Sequence, residues 1–177
     1  MYKRQTLTGT GNAYTIVIAD GDKTGSTATE FSAINGKTTA AIDASAVTGL
    51  ASDTIDNIKT LLIAGNDTNQ FTSDSFSILD AVTVSDTTLD GSELAAAIDQ
   101  ANSATGNTST VFTITAVDAI TGTEANFTAL IADEGNLQLS ITDQNLTVNS
   151  GGTATVDTVN DLAATTTGKI TATIDPT

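Results

Sequence analysis

Residues 82–98 read VTVSDTTLDGSELAAAI and contain the pattern that recurs along the rest of the chain. An alternating run of valine and polar residues ends at Asp86, Gly91 follows, and Ser92 and Glu93 come before an apolar stretch. The alternation predicts a β-strand, and serine with glutamate ahead of an apolar run predicts a helix start. We interpret the stretch as one strand–turn–helix unit.

The same order of strand, aspartate, glycine and helix is found in both directions from this stretch. The predicted strands end at Asp20, Asp43, Asp86, Asp118, Asp143 and Asp175, and glycines follow at Gly25, Gly49, Gly91 and Gly122. Such a unit cannot bury its own apolar face and must stack on its neighbours. The sequence therefore predicts an α/β repeat solenoid of parallel strands with short helices, leucine-rich-repeat-like in build. Tandem β-sandwich domains are the alternative.

Individual elements follow from the same patterns. Helices are predicted in residues 28–34, 52–65, 92–98, 124–131 and 156–162, where apolar residues share one face. Further strands are predicted in residues 38–43, 111–118, 139–143, 146–148 and 170–175. The irregular segment 66–80 receives no placement, although it contains several apolar anchors.

The first residues, MYKRQ at 1–5, resemble the translation of a transposon end used in preparing sequencing libraries. We therefore treat residues 1–5 as a non-native leader. Residues 6–177 are predicted to be a single block of repeats that belongs to a longer protein.

The composition excludes several classes of partner. The chain has 21 acidic and 6 basic residues, so its net charge is −15 at pH 7. Such a charge repels phosphate backbones and anionic lipid headgroups. We expect no nucleic-acid partner and no membrane insertion. The acidic balance favours solubility in salt water, which predicts an extracellular or cell-surface location.

Little in the sequence favours catalysis. Histidine and cysteine are absent, which removes the commonest general base and the thiolate nucleophile. We therefore predict a protein that is not an enzyme and has no catalytic residues. A carbohydrate-binding or carbohydrate-active solenoid module is the alternative, since paired carboxylates alone can cleave glycosidic bonds.

The aspartates that follow the predicted strands have two interpretations. A carboxylate can accept hydrogen bonds from backbone amides two or three residues later, and a following glycine can supply a positive φ. Stacked carboxylates could instead bind Ca²⁺. The turn-forming interpretation is favoured.

One segment resembles the opening of a calcium loop. The sequence DGDKTG at 20–25 places Asp20, Asp22 and Thr24 at alternate positions. The acid that usually completes such a loop would fall at Phe31, with Glu30 one place early. Asp20, Asp22, Thr24 and Glu30 are thus the candidate calcium ligands, and no other cofactor is predicted.

Residues 82–94 (VTVSDTTLDGSEL) and 119–127 (AITGTEANF) resemble repeats of giant acidic, threonine-rich surface proteins of marine cyanobacteria and other aquatic bacteria. The resemblance extends over most of residues 12–177. It implies a structural or adhesive segment of a large extracellular protein, adhesin-like, without catalytic residues. Its implied partners are neighbouring repeats of the same chain and cell-surface glycans or other cells.

Overall fold

The computed structural model describes residues 11–18, 25–103, 109–149 and 154–174. Within these ranges the chain forms five helices, and four of them begin after a threonine N-cap whose hydroxyl accepts a backbone N–H. The helices are α1 (Ala28–Asn35), α2 (Ile55–Gly65), α3 (Gly91–Ser103), α4 (Glu124–Gly135) and α5 (Val156–Thr165). The predicted helices are confirmed, and the N-caps give the abundant threonines a structural role.

Short strands alternate with these helices. They are β1 (Gly49–Asp53), β2 (Ala81–Val84), β3 (Thr88–Asp90), β4 (Val111–Thr113), β5 (Ala119–Gly122), β6 (Asn145–Val148) and β7 (Ile170–Thr171). One sheet has the order β1-β2-β4, and a second has the order β3-β5-β6-β7.

Every pairing between these strands is parallel. In the second sheet Thr121 lies opposite Thr147, and Thr147 lies opposite Thr171. One helix lies along the chain between the two strands of each pair. Such a crossover is what parallel pairing requires. The α/β class with parallel strands is confirmed. No strand pair in the described ranges is antiparallel, so these residues give the β-sandwich alternative no support.

The helices pack against one another in chain order. Contacts join α1 to α2, α2 to α3, α3 to α4 and α4 to α5. An ion pair between Lys59 of α2 and Glu93 of α3 links two of them. Neighbours in sequence are thus neighbours in space on the helical side as well as on the strand side.

A single cluster of buried apolar side chains runs from Ala28 to Leu162, between the helices and the strands. Segment 66–80, which the sequence analysis left unplaced, contributes Phe71 and Phe76 to it. The ring of Phe76 packs edge-on against Phe31, with centroids 5.7 Å apart, and lies 5.2 Å from the ring of Phe71. These rings fill space where short aliphatic side chains would leave a void.

The prediction that strands end at the aspartates is wrong in two units. Asp118 and Asp143 come before β5 and β6 instead of closing a strand. Asp86 lies two residues after the end of β2, close to the predicted strand end. The predicted strand 111–118 is two strands, because a turn at residues 115–116 separates β4 from β5. The apolar residues Ile114 and Val117 beside this turn are buried, which explains why the segment looked continuous.

Other predicted strands are shorter than expected or absent. Segments 16–20 and 38–43 form only isolated bridges, among them Val17 with Asp43, and residues 19 and 20 lie outside the described part. Residues 139–143 contain a turn at 142–143 and no strand. The predicted strand 170–175 shortens to β7 and a bridge between Ala154 and Ile174, and residue 175 lies outside the described part. One or two paired residues in these segments thus continue the parallel pairing.

The glycines also differ from prediction. Among the described glycines only Gly11 has a positive φ, so Gly49, Gly91 and Gly122 do not supply the expected reversal. A Cβ on Gly122 would lie 3.2 Å from the Cβ of Asn126 and 3.6 Å from the Cα of Gly91. At this position the absence of a side chain allows two neighbouring units to approach closely.

Within the described residues, no helix has both the length and the apolar character needed to cross a membrane.

Candidate functional site

Only one of the four predicted calcium ligands, Glu30, lies within the described residues. Asp20, Asp22 and Thr24 lie outside the described residues. Glu30 belongs to α1, where its Oε2 accepts the Thr27 N–H at 3.0 Å while its own N–H donates to Thr27 Oγ1 at 3.2 Å. This is a capping box, which satisfies two of the free amides at a helix start. The calcium site itself stays a prediction. Elsewhere in the described ranges, no three acidic side chains come close enough together to hold a metal ion.

Turn formation by a strand-ending aspartate is confirmed at Asp43. Its Oδ1 accepts from the N–H and the hydroxyl of Ser45, at 3.0 and 2.6 Å. Asp90, which does not belong to the predicted set, forms the same turn, since its Oδ1 accepts the N–H and the hydroxyl of Ser92 at 2.8 and 2.7 Å. The hydrogen bonds from Ser45 lower the pKa of Asp43 below its usual value.

A different group of carboxylates connects neighbouring units at the helix N-termini. Asp53, which precedes α2, accepts the N–H and the hydroxyl of Thr29 in α1, both at 2.8 Å to Oδ2. Its Oδ1 accepts from the Thr54 N–H and from Asn57 Nδ2, both at 2.8 Å. Partial burial raises the pKa of Asp53, but these hydrogen bonds outweigh it and hold the pKa below its usual value.

Two more carboxylates make the same kind of contact. Asp86 Oδ2 accepts the Ile55 N–H at the start of α2, at 2.7 Å. Glu124 Oε1, at the start of α4, accepts the N–H and the hydroxyl of Thr155 ahead of α5 at 3.1 and 2.7 Å. It also accepts from Thr158 Oγ1 at 2.5 Å, and these bonds, that of Thr158 first, lower the pKa of Glu124.

A negative charge belongs at these positions for a physical reason. The first amides of a helix have no partner inside the helix, and the helix dipole makes that end positive. A carboxylate from the adjacent unit supplies both the acceptor and the charge. From the sequence the aspartates were expected to form local turns, and their role between units was not predicted. The sequence signal was an acidic residue that lies about one unit before or after a threonine at a helix start.

Amide side chains join the units near the opposite ends of the helices. Asn66 Nδ2 donates to the side-chain and backbone oxygens of Gln100, both at 3.0 Å. Asn102 and Gln138 exchange two bonds, at 3.2 and 2.6 Å. These pairs, together with Asn35 and Gln70 at 2.8 Å, form a series along the chain. An asparagine close to the end of successive helices was the sequence signal.

A pocket opens on the strand side, where residues 111–118 and 137–145 separate. It has a volume of about 670 Å³ and is lined by Val111, Phe112, Thr113, Ile114, Thr115, Val117, Asp118, Leu137, Leu139, Ser140, Thr142, Asp143, Gln144 and Asn145. Leu137 at its edge is 80% exposed and has a φ of 63°, a backbone conformation that bulky residues rarely adopt. The exposed surface of the pocket is more apolar than polar, with hydroxyl, amide and carboxylate groups among the apolar side chains.

The carboxylates of Asp99 in α3 and Asp133 in α4 repel each other. Burial, followed by the negative charge of Asp99, raises the pKa of Asp133 to about 6. Neither helix has a basic residue in its last turn to offset this charge. This repulsion destabilises the packing of α3 against α4 at pH 7.

Comparisons of the chain with protein-family models, with curated proteins and with solved structures found no match.

Proposed function

We propose that the chain is a non-catalytic structural or adhesive repeat segment of a large extracellular or cell-surface protein, with its strand–helix units stacked as a solenoid. The observation that carries the proposal is the connection of neighbouring units at both ends of the helices. Asp53 with Thr29 and Glu124 with Thr155 join units at the N-terminal ends. Asn102 with Gln138 joins them near the C-terminal ends.

The described carboxylates support a structural role by the bonds they already make. Asp53 accepts four hydrogen bonds from three residues, and Glu124 accepts three. A general base must be free to take a proton from a substrate. Asp53 and Glu124, with lowered pKa values and several donors each, are suited to hold elements together.

The proposal makes a statement about the whole gene that can be tested directly. The reading frame on both sides of codons 6–177 should contain further copies of the strand–helix unit. Beads coated with the purified segment should adhere, under flow, to cells or to glycan-coated surfaces more strongly than beads coated with an unrelated acidic protein. A short gene closed by stop codons around this block would contradict the proposal.

The pocket favours a second candidate, a carbohydrate-binding module. Hydroxyl, amide and carboxylate groups lie among its mostly apolar lining and are able to bind the hydroxyl groups of a sugar, although the chain has no tryptophan to stack on a sugar ring. A glycan array with the wild type and with Thr115→Trp, which would fill the pocket, tests this candidate. Thr128→Trp on the exposed side of α4 is the control. Signal lost only in Thr115→Trp would support carbohydrate binding, and turnover of a polysaccharide would favour the enzymatic form of the alternative.

A further inference from the structure

The pocket on the strand side lies where two chain segments separate between two points of contact. At one end the Phe112 N–H donates to the Gln138 carbonyl at 2.7 Å, and at the other the Asn145 N–H donates to the Asp118 carbonyl at 2.9 Å. Between these bonds the two segments diverge around a space of about 670 Å³. The first sheet therefore ends at β4, and residues 139–141 do not join it as a fourth strand.

The outer edge of β4 has backbone groups without a partner at this pocket. Val111 and Thr113 lie on the side of β4 that pairs with β2, since the Val111 N–H donates to the Asp80 carbonyl at 2.8 Å. Alternate residues of a strand present their backbone groups to opposite sides, so the Phe112 C=O and the Ile114 N–H face the pocket. No group in the described ranges donates to that C=O or accepts from that N–H. The edge thus offers an acceptor and a donor at the spacing of a strand.

A buried side chain in the wall of the pocket also has an unpaired atom. Gln144 is 7% exposed and lines the pocket. Its Nε2 donates to the Val117 carbonyl at 3.4 Å, while its Oε1 is buried and accepts no hydrogen bond in the described part of the chain. Because a single long bond holds this side chain, its amide can turn toward a ligand. An unpaired buried acceptor destabilises a folded protein, and a ligand that supplies a donor removes that penalty.

The pocket combines apolar surface with negative charge. Its surface is more apolar than polar, and Val111 and Leu137 are exposed large apolar residues in its lining. Asp118 and Asp143 are exposed, and the lining residues include no lysine or arginine. Asp143 Oδ1 accepts from Thr167 Oγ1 at 3.1 Å, a neutral donor that leaves the carboxylate charged. A ligand with apolar and basic groups complements both features.

We propose that this pocket binds a short segment of a partner protein in which an apolar residue stands next to a lysine or an arginine. The inference deepens the adhesive role proposed above and rests on it. The apolar residue packs against the exposed apolar side chains of the pocket. The basic group donates to Gln144 Oε1 and lies near the carboxylates of Asp118 and Asp143. The backbone of the segment pairs with the Phe112 C=O and the Ile114 N–H, as an added strand does.

A loop or a chain end fits this pocket better than a continuous strand. The two segments that form the pocket are joined by backbone hydrogen bonds at both of its ends, so a long strand cannot run through it. A volume of about 670 Å³ is in the range of pockets that hold drug-sized ligands. Several residues of a partner, and not one side chain alone, therefore enter.

A sugar is the less favoured ligand of the same pocket. Sugar rings commonly stack on an exposed aromatic face, whereas Phe112, the aromatic residue among the described lining residues, is only 1% exposed. A sugar also has no peptide backbone to pair with the edge of β4. Carbohydrate binding is therefore a competing outcome of the test.

Capped pentapeptides test the proposal by ¹H–¹⁵N NMR and isothermal titration calorimetry. The peptide GVKVG has the proposed chemistry, GVEVG reverses its charge, and GGKGG removes its apolar side chains. GVKVG should shift the amides of residues 112–117 and 139–145 and should bind at least about tenfold more tightly than either control peptide. Spermidine that binds as tightly as GVKVG would overturn the proposal, because the pocket would then recognise a free cation.

Variants of the pocket locate the binding. Asp118→Asn with Asp143→Asn should weaken the binding of GVKVG about threefold to tenfold, as expected for exposed ion pairs. Asp74→Asn with Asp161→Asn makes the same change in net charge at exposed aspartates outside the pocket and should leave the affinity unchanged. Gln144→Met removes the buried acceptor and should also weaken the binding, with far-UV circular dichroism as the check on its folding.

Three results would overturn this inference. The first is a wild type whose amides do not shift at millimolar GVKVG, and the second is equal weakening by the two double variants. The third is glycan binding that Thr115→Trp blocks, in a protein that binds no peptide, because the pocket would then belong to carbohydrate. The proposed adhesive role is tested separately. If beads coated with the wild type and with Thr115→Trp adhere equally under flow, the adhesive role is supported and the role of the pocket is refuted.

Discussion

A Cβ placed on Gly168 would lie 2.1 Å from the backbone carbonyl oxygen of Gln144. Gly168 leads into β7 and Gln144 leads into β6, so the contact is between the backbones that precede two paired strands. Thr166 strengthens it, since its hydroxyl donates to the same Gln144 oxygen at 2.8 Å. Glycine is required here because the units are close, and not because of the φ angle.

Gly168→Ala should therefore destabilise the fold. The backbone of one unit must move to admit the methyl group, and overpacking of this kind costs about 1–3 kcal/mol. Urea unfolding followed by circular dichroism measures the change in the free energy of unfolding.

The control for this prediction is Gly135→Ala at the end of α4. A Cβ on Gly135 meets nothing within 4 Å. Alanine in place of an unstrained helical glycine should stabilise the protein by about 0.5–1 kcal/mol. Equal effects of the two substitutions would show that the backbones at Gly168 are not in contact.

Asp53→Asn should weaken the link between α1 and α2. The asparagine keeps an acceptor oxygen but loses the charge beside the helix start, and we expect a loss of about 1 kcal/mol or less because solvent screens the site. The pKa of Asp53 is lowered in the folded state, so its contribution is present above about pH 4 and is lost as the pH falls through the folded pKa. The difference between variant and wild type should be larger at pH 7 than near pH 3.

Asp74→Asn makes the same charge change at an exposed aspartate away from the helix N-termini. Chemical unfolding of both variants at the two pH values separates the specific contact from the effect of net charge. If Asp74→Asn reproduced the pH-dependent loss, the contact between Asp53 and Thr29 would not stabilise the stack.

Asp133→Asn should have the opposite effect. The pKa of Asp133 is raised to about 6, above its usual value of 3.8, so the ionised form destabilises the folded state. The penalty is absent below about pH 4, grows as the pH rises to about 6, and is constant above that. The neutral amide removes this penalty. We therefore expect the free energy of unfolding to rise by about 1 kcal/mol at pH 7, since the group is half-buried.

A pH series of unfolding curves tests this expectation. As the pH falls from 7 to 4, protonation of Asp133 should increase the free energy of unfolding of the wild type. Asp133→Asn should not show this increase. Asp99→Asn should lower the pKa of Asp133 by removing the neighbouring charge, which a carboxyl NMR titration would detect. An Asp133 that titrates near pH 4 in the wild type would contradict the proposed burial.

The sequence was most informative where apolar residues repeat at helical spacing. Ile55, Ile58 and Leu62 share a buried face, and α2 lies where this pattern predicts it. The strands were harder to locate because each contributes only two to five residues, and buried turn residues such as Val117 resemble strand residues.

The contacts between units depend on distances that the sequence does not contain. The carboxylate of Asp53 and the hydroxyl of Thr29 are 24 residues apart, and only the packing of α1 against β1 and α2 brings them together. Phe76, with a φ of 59°, reaches the core from a segment with no regular pattern. Local periodicity thus predicted the elements, while the register between units required the structure.

Cysteine pairs in the second sheet test the ordered stacking of units most directly. Thr121, Thr147 and Thr171 lie in one row of partly or fully exposed side chains, each opposite the next, and the chain has no native cysteine. Neighbouring strands are about 4.8 Å apart, within the range of about 4.4–6.8 Å between the Cα atoms of a disulfide. Strands separated by one other strand are about twice as far apart and exceed it.

The measurement is disulfide formation in three double-cysteine variants after mild oxidation, read from the intact mass after thiol alkylation. Thr121→Cys with Thr147→Cys and Thr147→Cys with Thr171→Cys should each form a disulfide within one chain. Thr121→Cys with Thr171→Cys should keep free thiols. Efficient cross-linking of this last pair, or free thiols in both neighbouring pairs, would contradict the stacking of the units in chain order.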